Sequence, residues 1–154
     1  MIGRLELYVV FALVLALVAG VFAADRGTPV EARAMLLKAI AYYKSVGRKQ
    51  ALADFTARKP PFGDRDLFVF CLGPDHTVVA NGGFPQLIGA KEGTVVDNDG
   101  KSVAAVARRL ISINGEAVVH YRWINPVTHN VELKITFFAK AGDDVCGVGA
   151  YSDH

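Results

Sequence analysis

The stretch that decides the fold is residues 117–140, which read AVVHYRWINPVTHNVELKITFFAK. It contains two runs rich in β-branched and aromatic residues, 117–123 and 131–140, on either side of the turn dipeptide Asn125-Pro126. This pattern predicts an antiparallel β-hairpin. If the turn centres on Val127 and Thr128, Tyr121 lies opposite Lys134.

Directly opposed residues of a hairpin project to the same face of the sheet. The predicted register therefore places Tyr121, Trp123, Lys134 and Thr136 on one side. A phenol, an indole N–H and an ammonium in an apolar cleft suit a small carboxylate. The alternative is that both aromatic residues are ordinary core and that Lys134 is solvated at a sheet edge. A register slip of one residue would separate these side chains.

Three further segments have the composition of strands: 67–72, 77–80 and 145–151. Residues 81–100 are rich in glycine and predict a loop. Within this loop, residues 83–89 are too apolar for a free segment and are expected to fold over another part of the protein. Residues 102–114 have apolar side chains at helical spacing and predict an amphipathic helix.

The sequence also predicts a long helix that begins at Thr28-Pro29 and ends at Gly47. Thr28 can cap it, Pro29 suits its first turn, and Glu31 completes a capping box. Its apolar residues recur in two helical rows, which are expected to face the core: Val30, Ala34, Leu37 and Ala41, and Leu36, Ile40 and Tyr43. A short second helix is expected over residues 49–56.

The predicted order is a long helix, a short helix and then strands interrupted by a single helical segment. This order predicts an α+β fold. The simplest packing is one antiparallel sheet of about five strands with the long N-terminal helix behind it. The core domain is expected to span residues 28–152.

The first 23 residues have a different character, since residues 7–24 carry no charge and 19 of the first 23 are hydrophobic. With Arg4 ahead of this run and the pattern Val21-Phe22-Ala23 near its end, the segment predicts a secretory signal peptide cleaved after Ala23. The alternative is an uncleaved membrane anchor, because 18 apolar residues are at the lower limit for a span. Either interpretation places the domain outside the cytoplasm.

The chain has 17 Lys+Arg against 15 Asp+Glu and a net charge of +2, which argues against a nucleic-acid partner. Its four histidines show no metal-ligand spacing, and no nucleophile elbow, phosphate loop or metalloprotease motif is present. No metal, no cofactor and no enzymatic activity are therefore expected.

Several short motifs in order resemble those of one family. They are ALADF (51–55), PPFGDRDLFVF (60–70), FPQLIGAK (84–91), DNDGK (97–101), YRWINPVT (121–128), ELK (132–134) and GVGAY (147–151). Together, across residues 30–151, they are similar to a single Cache domain of the second type. Such domains are extracytoplasmic sensing modules of bacterial chemoreceptors and histidine kinases.

The resemblance implies a PAS-like fold whose sheet has the long helix on one face and a ligand pocket on the other. It implies a small organic acid, such as acetate or pyruvate, as ligand. The expected ligand-binding residues are Lys134, Tyr121, Trp123, Phe68, Phe84, Leu87 and Thr136. Two departures are that the turn at 75–77 lacks the family's usual glycine and that only three residues follow Tyr151.

The PAS-like strand order also brings together the two cysteines of the chain. Its first and last strands are antiparallel neighbours, so Cys71 and Cys146 could meet. A disulfide and two buried free thiols both remain open at this point.

The sequence thus predicts an exported, periplasmic or secreted sensor domain that binds a small organic anion and acts with a separate, unknown signalling protein. The alternative is an interaction or accessory protein with no ligand role, anchored in the inner membrane and facing outward if residues 1–23 are retained. Contact with a membrane is expected only in that second case.

Overall fold

The structure, a computed structural model, describes residues 26–152. The signal peptide predicted over residues 1–23 lies outside the described residues. Between residues 26 and 152, no helix has both the length and the apolar character needed to cross a membrane.

The described chain forms three helices and six strands. In chain order they are α1 Pro29–Val46, α2 Arg48–Thr56, β1 Gly63–Asp64, β2 Leu67–Leu72, β3 Val78–Asn81, α3 Val103–Asn114, β4 Glu116–Ile124, β5 Val131–Ala141 and β6 Asp144–Ser152. Two short 3-10 turns, Pro85–Leu87 and Glu92–Thr94, lie between β3 and α3. The predicted α+β class and all five predicted strands are confirmed. The two-residue strand β1 is an addition that its short, polar sequence did not predict.

The strands form one antiparallel sheet in the order β1-β2-β6-β5-β4, with β3 paired to β2 as a side branch. The predicted hairpin register is confirmed, because Tyr121 pairs with Lys134 and Trp123 with Glu132. β6 lies between β2 and β5, so the last strand of the chain joins the first part of the sheet to the hairpin.

Helix α1 packs on one face of the sheet, against β5 and β6. Thr28 caps it and forms the predicted capping box with Glu31, and Gly47 follows its last residue. Its buried residues are Ala32, Met35, Leu36, Ala39 and Tyr43.

The prediction that Val30, Ala34, Leu37 and Ala41 face the core is wrong, since all four are exposed and Val30 retains 79% of its accessible surface. The small side chains of Ala32 and Ala39 allow close contact between helix and sheet. The row of helical spacing that contains them is therefore the one that faces the sheet: Ala32, Met35, Leu36, Ala39 and Tyr43.

Helix α3 and the loop from residue 82 to residue 101 cover the opposite face of the sheet. Ser102 caps α3, and Gly115 ends it in the left-handed conformation. Val103, Ala107 and Ile111 of α3 pack against β4 and β5. The sheet therefore has a helix-packed face and a face closed by the loop and α3, and the cavity described below lies under the second cover.

Candidate ligand-binding site

A cavity of about 60 Å³ lies between the sheet and its loop cover. One water molecule needs roughly 10–15 Å³ of such space, so the cavity holds about four to six atoms of that size. Its walls are mostly aromatic and aliphatic, with few polar groups. Six of the seven predicted ligand-binding residues line it: Phe68, Phe84, Leu87, Tyr121, Trp123 and Lys134.

Lys134 on β5 is the basic group of this cavity, and only 1% of its surface is exposed. Its Nζ atom donates a hydrogen bond to the hydroxyl of Tyr151, at 3.1 Å, and lies 4.2 Å from the ring centre of Phe68. Within residues 26–152, no carboxylate forms an ion pair with it. An ammonium has three N–H donors, so the cavity contains a cation with donors to spare.

Burial lowers the pKa of Lys134 to about 7, and the negative charge of Asp66 opposes this shift only in part. The hydroxyl of Tyr151 donates to the carbonyl oxygen of Ile124, at 2.8 Å. Its oxygen is thereby oriented to accept from Lys134. The electrostatic cost of the buried cation falls when an anion enters beside it.

Tyr121 lies on the neighbouring strand, with its hydroxyl oxygen 3.0 Å from the Oγ1 atom of Thr136. Both residues are buried, and burial raises the pKa of Tyr121, so its hydroxyl stays protonated. Thr136 is the one predicted site residue that does not line the cavity. It contacts Tyr121 from behind, where it can orient the phenol toward a ligand.

Trp123, Phe84 and Leu87 separate this inner cavity from an outer one. The outer cavity has a volume of about 320 Å³ and shares these three walls. Phe84 packs edge-on against both Trp123 and Phe68, with ring centres 6.3 and 5.8 Å apart. A ligand that reaches Lys134 from this side must pass the ring of Phe84, which belongs to the predicted cover segment.

Comparisons with known proteins identify the family and the fold. The family model described as Single Cache domain 2 matches residues 43–153 of the chain. The chain belongs to this family. This match confirms the predicted resemblance. Cache domains are extracytoplasmic sensor domains rather than enzymes.

Solved structures show the same fold. A methyl-accepting chemotaxis protein from Vibrio parahaemolyticus is 16% identical with a TM-score of 0.64, covering 95% of this chain and 96% of that one. A periplasmic sensor domain of a chemotaxis protein is 23% identical with a TM-score of 0.61 and coverages of 98% and 100%. A Cache chemosensory domain studied for carboxylic acid recognition is 18% identical with a TM-score of 0.61 and coverages of 98% and 99%. No functionally curated protein matches the chain.

The cavity of this Cache domain has further lining residues besides the seven expected ones. Those from the strands and helix α3 are Phe70, Leu72, Val78, Asn81, Val103, Ala104 and Phe138. Phe138 could have been found, because it continues the alternation of Lys134 and Thr136 along β5.

Glu92 and Val95 enter the cavity wall from the cover loop, and no local pattern reveals their position. Burial raises the pKa of Glu92, but hydrogen bonds from Arg108 and His76 outweigh burial and hold it below its usual value. The charge of Glu92 is thus balanced by Arg108 and His76. Lys134 therefore remains the cation of the cavity without a counter-ion. Between residues 26 and 152, no cluster of His, Cys, Asp and Glu side chains could hold a metal ion.

Cys71 and Cys146 of the Cache domain are directly opposed on β2 and β6 and form a disulfide. Both are fully buried on the face of the sheet that packs against α1. The neighbours of Cys71 on β2, Phe70 and Leu72, point to the opposite face and line the cavity. The bond therefore joins two strands that support the site.

Gly149 on β6 keeps the site open for the lysine side chain. A Cβ atom at this position would lie 2.2 Å from Oγ1 of Thr136 and 2.4 Å from Cε of Lys134. Gly149→Ala is therefore expected to displace the ammonium and to destabilise the protein by about 1–3 kcal/mol. Denaturant unfolding measures this change.

Gly93→Ala is the matched control, because an added Cβ atom there meets nothing within 4 Å. It is expected to change the free energy of unfolding by less than about 0.5 kcal/mol. Equal effects of the two variants would contradict the close approach at Gly149.

Proposed function

We propose that this chain is an exported sensor domain that binds a small monocarboxylate, such as acetate or pyruvate, and acts with a separate signalling protein. The single observation that supports the ligand class is Lys134, a buried cation without an ion-pair partner in an aromatic cavity of about 60 Å³. Such a cation favours an anion, and the volume favours one of about four to six non-hydrogen atoms.

In this proposal, the carboxylate lies beside Nζ of Lys134 and accepts hydrogen bonds from its unused N–H donors. Tyr121 supplies a second donor through its hydroxyl, oriented by Thr136. Phe68, Phe84, Leu87 and Trp123 exclude water, which strengthens both interactions. The similar Cache chemosensory domain studied for carboxylic acid recognition supports the same ligand class.

The proposal for the cell compartment depends on sequence alone. Residues 1–23 are proposed to direct export and to be removed after Ala23, leaving the domain over residues 28–152 in the periplasm or outside the cell.

The ligand class is tested by calorimetric titration of the purified protein with acetate, propionate, pyruvate and hexanoate, each compared with acetamide. We expect one or more of the three small acids, acetate, propionate and pyruvate, to bind. They fit the cavity and carry a negative charge that can pair with Lys134. Hexanoate exceeds the cavity volume and acetamide carries no charge, so both are expected to bind at least about tenfold more weakly.

Equal binding of acetate and acetamide would show that the cation does not select the ligand. Absence of binding for every acid would contradict the ligand class and would favour the interaction protein without a ligand role.

A further inference from the structure

The chain enters the described domain through Arg26 and Gly27, and both are bound to buried acids. The guanidinium of Arg26 donates to both carboxylate oxygens of Glu132. The amide N–H of Gly27 donates to Oδ1 of Asp66 at 2.7 Å. A Cβ atom at Gly27 would lie 2.1 Å from Cγ of Leu67, so only glycine allows the chain to lie this close to β2. Residues 26–27 are called the N-terminal lead below.

The two acids belong to one buried polar cluster. Asp66 is 2% exposed, Glu132 is 7% exposed, and Asn125 between them is fully buried. The side-chain amide of Asn125 donates to Oδ2 of Asp66 at 3.1 Å and to Oε2 of Glu132 at 2.9 Å. A displacement of the lead would thus leave Oδ1 of Asp66 without its donor and the buried Glu132 without the guanidinium of Arg26, which costs free energy.

This cluster adjoins the base of the ligand cavity. Lys134 donates to Tyr151, Tyr151 donates to the carbonyl of Ile124, and the next residue is Asn125. Asp66 is also the carboxylate whose charge acts on Lys134, while both Asp66 and Glu132 act on Tyr151. Hydrogen bonds thus run from Lys134 to the residue before Asn125, and from Asn125 through Asp66 to the N-terminal lead. The charge of Asp66 acts on Lys134 as well.

The other charged groups near the cavity have partners elsewhere. On the cover, Glu92 is bound by Arg108 and His76, and Asp97 lies 3.9 Å from Lys101. The phenols of Tyr121 and Tyr151, on the two strands beside Lys134, stay protonated because burial raises their pKa values. Asp66 is thus the charge through which a change at Lys134 acts on other parts of the domain, and Asn125 links it to Glu132.

We propose that binding of an anion at Lys134 is coupled to the docking of the N-terminal lead on Asp66 and Glu132. A bound carboxylate compensates the charge of Lys134, so the charge of Asp66 acts more strongly on the Gly27 amide that donates to it. The added negative charge also favours the nearby guanidinium of Arg26. Occupancy of the pocket then changes how firmly Arg26 and Gly27 are docked, at the point where the chain enters the domain. Arg26 lies two residues after the uncharged run 7–24.

This proposal rests on the proposed function for its ligand, and coupling must be reciprocal. If an anion strengthens docking of the lead, loss of the lead must weaken binding of the anion by the same factor. The test compares Arg26→Ala with Arg33→Ala. Arg33 is a matched control because it forms only an exposed ion pair, with Glu116 at 3.7 Å.

We expect Arg26→Ala to weaken acetate binding about fivefold or more and Arg33→Ala to change it less than twofold. In the wild-type protein, saturating acetate is expected to slow amide hydrogen exchange at Gly27 by the same factor. Arg26→Ala leaves Glu132 buried without its cation. If this single variant does not fold, the double variant Arg26→Ala with Glu132→Gln replaces it in the binding measurement.

A third arm needs no ligand and separates this proposal from the function itself. Lys134→Met removes the positive charge that partly offsets the charge of Asp66, so Gly27 exchange at pH 6 is expected to be slower than in the wild type. If no acid binds but this difference is present, the proposed function fails and the coupling stands. The coupling is overturned if Gly27 exchange is the same in the wild type and Lys134→Met, or if acids bind and Arg26→Ala behaves like Arg33→Ala.

Discussion

Replacing Lys134 with methionine is expected to weaken the binding of small carboxylates about 10- to 150-fold. A hydrogen bond to a charged group contributes about 1.5–3 kcal/mol, and methionine preserves the length of the side chain without the charge. Lys134 is the cation without a counter-ion in the cavity wall, so no other described residue replaces it there. Isothermal titration with acetate and pyruvate measures the loss.

The same substitution is expected to stabilise the ligand-free protein by about 1–4 kcal/mol at pH 6, because it removes a buried charge that has no ion-pair partner. The pKa of Lys134 is about 7 in the folded protein and roughly 10.4 in the unfolded chain. Between these values the unfolded chain binds more protons, so wild-type stability rises with pH through this window. The advantage of the methionine variant is therefore expected to shrink from pH 7 to pH 10.

Lys140→Met is the control, because Lys140 lies on the same strand but is exposed. It is expected to alter neither acetate binding nor the pH dependence of stability measurably. Acetate binding that survives Lys134→Met unchanged would reject Lys134 as the anchor of the ligand. A methionine variant that is less stable than the wild type at pH 6 would show that the buried ammonium has a partner in solution.

The double variant Cys71→Ala and Cys146→Ala is expected to lose about 2–5 kcal/mol of stability. The two cysteines are separated by 75 residues, and a cross-link that closes so long a loop removes much entropy from the unfolded chain. Denaturant unfolding of the variant and of the wild type gives the difference. Both side chains are fully buried, so part of the loss reflects packing.

Denaturant unfolding of the reduced wild-type protein separates the loss of the cross-link from the loss of packing. Reduction of the wild type removes the cross-link but keeps both sulfur atoms in place, so the reduced wild type is expected to lie between the oxidised wild type and the variant. Alkylation of both thiols in unfolded, unreduced protein would contradict the disulfide.

Much of the site was predictable because it depends on local geometry. The register of the hairpin follows from turn position and strand alternation, and it places Tyr121 opposite Lys134 whatever the rest of the chain does. The apolar run around Phe84 predicts a cover because exposed loops rarely carry such residues. The structure brings Phe84 and Leu87 against the ligand cavity.

The remaining features depend on contacts between distant residues. Arg26 and Glu132 are 106 residues apart, and nothing in either neighbourhood indicates that they meet. The buried face of α1 is a second case, because several apolar rows have helical period and only packing against the sheet shows which one is buried. The pairing of Cys71 with Cys146 is a third, because the strand order brings them together.

The sequence by itself determined the elements, the hairpin register and the family, since each depends on short-range patterns of polarity, turns and motifs. Only the tertiary structure decided how buried Lys134 is, which carboxylates lie near it and how much space lies beside it. Burial, charge pairing and cavity volume are sums over side chains from the whole chain, and they convert a lysine in a strand into a cation that favours an anion.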